Sequence, residues 1–169
     1  MKQFELTNES KINWFGRTLF RIKALIDFTT KGGDEIHAGD LGGYVEKEQN
    51  LSHDGKAWIL DNAKVWGNAK IWGDAEVWGN AKVCGDASIF STQHILNVTP
   101  IGINANSLTV FRAKNGDSLQ VSFESKVHSL KQFKKEIDQW TDEKLKMTAL
   151  KAVDLACFYI DTSLESPKD

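Results

Sequence analysis

The middle of this 169-residue chain repeats every six residues, and this period constrains the fold more than any other feature. From Ala57 the segment reads AWILDN AKVWGN AKIWGD AEVWGN AKVCGD ASIF. Six helical residues turn through about 600°, so a helix would gather no single stripe of side chains. In an extended strand, alanine and the residue two positions later point the same way, and Gly followed by Asn or Asp suits a corner. The repeat therefore predicts short strands joined by tight corners.

Three such strands complete one 18-residue coil of a triangular parallel β-helix, with alanine and the β-branched residue facing inward. The pattern resembles the left-handed β-helix of hexapeptide acyltransferases. A meander of hairpins with Asn-Gly turns is the alternative, although hairpins rarely keep a strict six-residue spacing. The chain is predicted to be mainly β, with a short left-handed parallel β-helix at its centre. We divide it into an N-terminal β-sheet cap (1–50), the hexapeptide-repeat β-helix (51–91), a C-terminal β-β-β-α-α unit (92–162) and a tail (163–169).

The flanks carry ordinary strand and helix patterns. Apolar residues alternate between Thr18 and Phe28, which predicts a strand with Phe20, Ile22, Ala24, Ile26 and Phe28 on one face. Ser129 and Gln132 form a capping-box pattern before a helical stripe of apolar residues. That stripe consists of Leu130, Phe133, Ile137 and Trp140. A second helix is predicted over 141–160.

The outward positions of the repeat are rich in tryptophan, and four of the six tryptophans lie between Trp58 and Trp78. Residues 18 apart should stack, with Trp66 under Cys84 and Trp72 under Phe90. Exposed indole rings mark contacts, and they can be covered by the chain's own flanks, by another copy or by a foreign ligand. The candidate binding or oligomer-interface residues are Trp58, Trp66, Trp72, Trp78, Lys64, Lys70, Lys82 and Phe90.

Trp and Lys together can hold a nucleotide by stacking and charge. Acidic residues balance the lysines over 56–88, however, which favours a solvated surface instead. The whole chain has 21 Lys and Arg against 23 Asp and Glu, a net charge of −2, so we expect no general nucleic-acid binding.

Other features narrow the setting. No apolar run is long enough to span a membrane, and the N-terminus lacks a signal core, which predicts a cytoplasmic protein. Two cysteines are too few for a disulfide framework. The four histidines are scattered, so neither a metal site nor a cofactor is predicted.

The stretch GDLGGYVEKEQNLS, from Gly39 to Ser52, leads into Ala-x-Val-x-Gly-Asn repeats. It resembles hexapeptide-repeat, "polymer-forming"-like proteins of bacteriophages and prophages. The resemblance implies an accessory protein of a mobile element that acts in the cytoplasm of the host cell. It brings no established catalytic residue with it.

These observations favour a non-catalytic binding protein. We expect it to form a trimer or dimer and to block or sequester a host factor. That factor would be a defence protein, such as a CRISPR effector, or a nucleotide immune signal. One alternative is a hexapeptide acyltransferase-like enzyme, for which His53 beside Asp54 is the candidate general base. The other is a structural phage component, against which the shortness of the repeat argues.

Overall fold

The computed structural model describes residues 1–102, 104, 106–114, 118–124, 126–160 and 162. The fold is mainly β, with a pair of helices near the C-terminus. The predicted tail, 163–169, lies outside the described residues. The N-terminal strands are β1 (Phe4–Ile12), β2 (Thr18–Ala24), β3 (Phe28–Thr29) and β4 (Glu35–Ile36).

The repeat forms short strands that pair in parallel. The strands are β5 (Leu41–Val45), β6 (Leu51–Gly55), β7 (Trp58–Ile59), β8 (Lys64–Val65), β9 (Lys70–Gly73), β10 (Glu76–Val77), β11 (Lys82–Val83) and β12 (Ser88–Ile89), with a 3₁₀ turn at Glu48–Asn50. They pair as β5-β8-β11, β7-β10 and β6-β9-β12. Trp58 is in register with Glu76, and Lys64 with Lys82, so the predicted 18-residue register is confirmed. Parallel pairing also rules out a hairpin meander here.

All three parallel sheets share one interior. The alanines from Ala57 to Ala87 and the β-branched residues from Ile59 to Ile89 are buried in a single cluster. The inward assignment of these two repeat positions is therefore confirmed. At the corners, Gly67, Gly73 and Gly79 have φ between 63° and 72°, a conformation that glycine adopts without steric cost.

The N-terminal hairpin β1-β2 continues one of these sheets, because β2 pairs antiparallel with β5. The predicted alternation of β2 is interrupted by an irregularity between Arg21 and Lys23. Leu19 and Ile22 are fully buried, whereas Phe20 is half-buried. Of the five residues predicted to share one face, Ile22 and Ala24 are buried and Phe20, Ile26 and Phe28 are half-buried.

The C-terminal unit has its own core. Its elements are β13 (Ile95–Ile101), β14 (Asn106–Arg112), β15 (Leu119–Phe123), β16 (Lys126–Ser129), α1 (Leu130–Ile137) and α2 (Glu143–Tyr159). The four strands form one antiparallel sheet, onto which the helices pack through Phe133, Ile137 and Val153. The Ser129–Gln132 capping box is present, as predicted. The fourth strand, β16, was not predicted.

The C-terminal sheet closes one end of the repeat. Ala87 forms an antiparallel bridge with Ala113, and the N–H of Lys114 donates to the carbonyl of Asp86. Ile95 and Phe111 complete the interior of the repeat. Backbone groups that would otherwise form an open strand edge are thus paired within the chain.

Candidate functional site

The structure separates the predicted outward tryptophans into covered and exposed rings. Trp58 is 1% exposed, because Phe4 and Phe28 pack edge-on against it at 6.5 and 5.4 Å. Trp66 is 5% exposed, and it packs with Leu19 and Tyr44 of the N-terminal sheet. The chain's own N-terminal flank therefore covers these two residues, rather than another copy or a foreign ligand. Neither indole presents a surface to a partner.

The remaining predicted residues reach the surface to different degrees. Trp72 is half-buried and lies 4.9 Å from the half-buried ring of Phe90. Trp78 is 58% exposed. Lys64 and Lys82 are half-buried, whereas Lys70 is exposed. The eight predicted residues therefore do not form one continuous binding surface.

His53 is held by the N-terminus of the chain. Its Nδ1 accepts a hydrogen bond from the N–H of Gln3 at 3.2 Å, and its Nε2 lies 2.8 Å from Oε1 of Glu48. Hydrogen bonds from Lys2 and His53 lower the pKa of Glu48. The prediction that Asp54 orients His53 was wrong, because Glu48 occupies that position. In this arrangement neither ring nitrogen of His53 remains available to accept a substrate proton.

Cys84, at the tryptophan position of its repeat, is buried beside Trp66. Burial raises the pKa of this thiol to about 12. A thiol in this state is a small apolar group rather than a nucleophile. Within the described part of the chain, no group of three His, Cys, Asp or Glu side chains could hold a metal ion.

An exposed aromatic cluster lies at the β1-β2 turn, outside the residues that were predicted to form a binding surface. Ile12 is 73% exposed, Trp14 88% and Phe15 54%. We call these three residues the hairpin tip. Two adjacent aromatic residues inside a turn, with no strand position to bury them, were the signal that could have identified this surface.

The hairpin tip is held in a defined conformation. The side-chain oxygen of Asn13 accepts hydrogen bonds from the N–H groups of Phe15 and Arg17, at 2.9 and 3.0 Å. The guanidinium of Arg17 donates to both carboxylate oxygens of Glu46, which in turn accepts from the N–H of Gly67. The turn is thus tied to the repeat, and its aromatic side chains are presented on an ordered backbone.

Basic groups surround the hairpin tip. Lys64 and Lys82 lie side by side on β8 and β11, and with the tip they border a cleft of about 230 Å³. Burial, together with the positive charges of Lys82 and Lys11, lowers the pKa of Lys64. These ammonium groups therefore repel one another, and an approaching anionic surface would relieve that repulsion.

Comparison with known proteins adds no assignment. No model of a protein family matches the sequence, and no curated protein matches it. Neither helix in the described residues combines the length and the hydropathy that crossing a membrane would require.

Proposed function

We propose that this chain is a non-catalytic binding protein built on a left-handed β-helix. The three parallel sheets would be the three faces of that helix, with glycines of positive φ at the corners. Support comes from the common 18-residue register and the shared interior. An experimental structure that resolves the handedness of the repeat tests this part directly.

The binding surface we propose is the hairpin tip, and the partner we propose is an acidic protein of the host cell. The observation that carries the proposal is the exposure of Ile12, Trp14 and Phe15 on an ordered turn. Tryptophan and other large apolar side chains dominate the energetics of protein interfaces. The neighbouring lysines favour acidic groups around an apolar contact. Blocking or sequestering a host factor remains the proposed role.

Trp14→Ser combined with Phe15→Ser tests this surface. The matched control is Leu155→Ser with Phe158→Ser, which removes two exposed apolar side chains from α2. Tagged protein should retain an acidic bacterial protein in near-stoichiometric amount, and the tip variant should lose it while the control keeps it. The purified pair should bind more weakly as salt increases. Equal retention by the tip variant would overturn the proposal.

We propose that self-association, in a dimer or trimer, is lateral. One end of the repeat is bridged by Ala87 and Ala113, and β5 at the other end is paired with β2. This covering disfavours end-to-end growth and hence the structural phage component. Light scattering on the eluted protein should give a mass of two or three chains, and the mass of a single chain would contradict this part.

The acyltransferase alternative predicts transfer of an acetyl group from acetyl-CoA to an amine. The hydrogen bonds at both ring nitrogens of His53 weigh against it. We therefore expect wild-type protein and a His53→Gln variant to give the same background signal. Turnover that His53→Gln abolishes would replace the binding function with an enzymatic one.

A further inference from the structure

A second surface lies on a different sheet of the repeat from the hairpin tip's cleft, along β6, β9 and β12. It is a groove of about 740 Å³, and a smaller depression of about 300 Å³ shares its lysines. Trp72, Lys70, Ser88 and Lys114 line the groove, together with the segment around His53. Its volume falls within the range of about 300–1,000 Å³ that is typical of small-molecule sites.

Three lysines along the groove and the smaller depression have no salt-bridge partner. Lys70 and Lys114 line the groove and Lys47 lines the depression, and no carboxylate among the described residues lies within salt-bridge distance of any of them. Glu48, on the same wall, is already bound by Lys2 and His53. The other acidic groups are Asp54 and Asp86, and Asp86 accepts a hydrogen bond from Asn68. The unpaired cations favour an anionic ligand.

A buried guanidinium lies against Phe90, the ring that Trp72 contacts. Arg112 is 5% exposed, and its Nε and Nη1 atoms have no hydrogen-bond partner within the described residues. It is the last residue of β14 and stands two residues before Lys114. Arg112 does not itself line the groove, but leaving N–H groups of a buried cation unpaired is costly and favours an anion nearby.

An aromatic wall accompanies the cations. The guanidinium of Arg112 lies 5.2 Å from the centre of the Phe90 ring, and that ring contacts Trp72. The Nε1–H of Trp72 donates to Oγ of Ser88 at 3.3 Å, so the hydroxyl hydrogen of Ser88 can still be donated to a ligand. A planar ring beside unpaired cations suits a ligand that has both a base and phosphates.

We propose that this groove binds a free nucleoside triphosphate. The base would lie against Trp72, and the phosphates would lie between Lys70 and Lys114. This site is separate from the hairpin tip, and it does not depend on the proposed protein partner. The size of the groove favours a single nucleotide over a nucleic-acid strand.

Calorimetry on the full chain, without divalent metal, tests the site with ATP, GTP, CTP and UTP. At least one of the four should bind in a 1:1 ratio, and its nucleoside and tripolyphosphate should each bind about tenfold or more weakly. No heat with any of the four at about 1 mM would overturn the proposal. Tripolyphosphate that binds as tightly as the best nucleotide would also overturn it, in favour of a simple anion site.

Variants localise the binding. Lys70→Glu with Lys114→Glu should weaken nucleotide binding by about tenfold or more, because it reverses two charges in the groove. Lys131→Glu with Lys135→Glu, at exposed positions of α1, makes the same charge change elsewhere and should leave affinity within about twofold. Trp72→Ser should weaken nucleotide binding but not tripolyphosphate binding. Unchanged affinity in a folded Lys70→Glu, Lys114→Glu protein would overturn the location.

Discussion

The indole of Trp72 lies 4.9 Å from the phenyl ring of Phe90, which is 18 residues later in the chain. The two residues follow Ile71 and Ile89, which pair directly in β9 and β12. The outward aromatic rings and the inward aliphatic side chains therefore share one 18-residue register, and they lie on opposite sides of the same strands. This relationship links the sequence period to the interior, and it can be tested by substitution on either side of one strand.

Ile71→Asp should unfold the repeat. Ile71 is 1% exposed, and a carboxylate there would be buried without a partner, at a cost of more than about 4 kcal/mol. Lys70→Asp introduces aspartate on the exposed side of β9 instead, and it should change the free energy of unfolding by only about 0.5 kcal/mol. Urea denaturation followed by circular dichroism measures both. A normal unfolding midpoint for Ile71→Asp would contradict the inward assignment.

Two corner glycines should differ in their tolerance of alanine. Gly55 and Gly79 both have positive φ, which costs an alanine about 1 kcal/mol. A Cβ on Gly55 would lie 2.4 Å from the carbonyl oxygen of Gly73, whereas on Gly79 the nearest atom is 3.7 Å away. Gly55→Ala should therefore lose about 3 kcal/mol in total, and Gly79→Ala about 1 kcal/mol. Equal losses in thermal or urea unfolding would refute the close packing at Gly55.

Glu46 should make stability depend on acid pH. Burial alone would raise its pKa, but hydrogen bonds from the N–H of Gly67 and from Arg17 outweigh burial and hold the pKa below 4.5. The unfolded chain therefore takes up this proton first as the pH falls. The stability contributed by Glu46 is present above about pH 4.5 and is lost as the pH falls through the lower folded pKa.

Glu46→Gln should lower stability at pH 7 by about 1–2 kcal/mol and should flatten the decline between neutral and acid pH. Glu35→Gln, at an exposed carboxylate on β4, is the control and should follow the wild-type curve. Urea midpoints collected from pH 7 to pH 3 give the comparison. A Glu46→Gln protein whose stability falls as steeply as wild type would exclude this linkage.

The two cysteines should react at very different rates. Cys84 is buried with a pKa of about 12, whereas Cys157 is exposed on α2. Because the thiolate is the reactive form, a disulfide reagent at mildly alkaline pH should modify one thiol rapidly in the folded protein. Cys157→Ser should remove that fast phase, and Cys84 should react only as the protein unfolds. Two fast thiols in wild-type protein would contradict the burial of Cys84.

The hairpin tip and the groove along β6, β9 and β12 show what the sequence analysis missed. Trp14 and Phe15 occur in a turn whose exposure depends on how β1 and β2 pair. The sequence predicts that Trp72 contacts Phe90, but nothing in it indicates that Arg112 also lies against Phe90. The strand β16 was also missed, because its four residues show only a weak alternation of apolar and polar side chains and form a strand by pairing with β15.

The sequence by itself determined the parallel register and the interior of the repeat, because a six-residue period fixes which side chains point inward. It did not determine what covers the outward side chains. Trp66, Trp72 and Trp78 occupy the same repeat position, yet Trp66 is buried, Trp72 half-buried and Trp78 58% exposed. Periodicity sets the direction of a side chain, whereas its cover comes from distant residues such as Leu19. Only the tertiary structure brings those residues together.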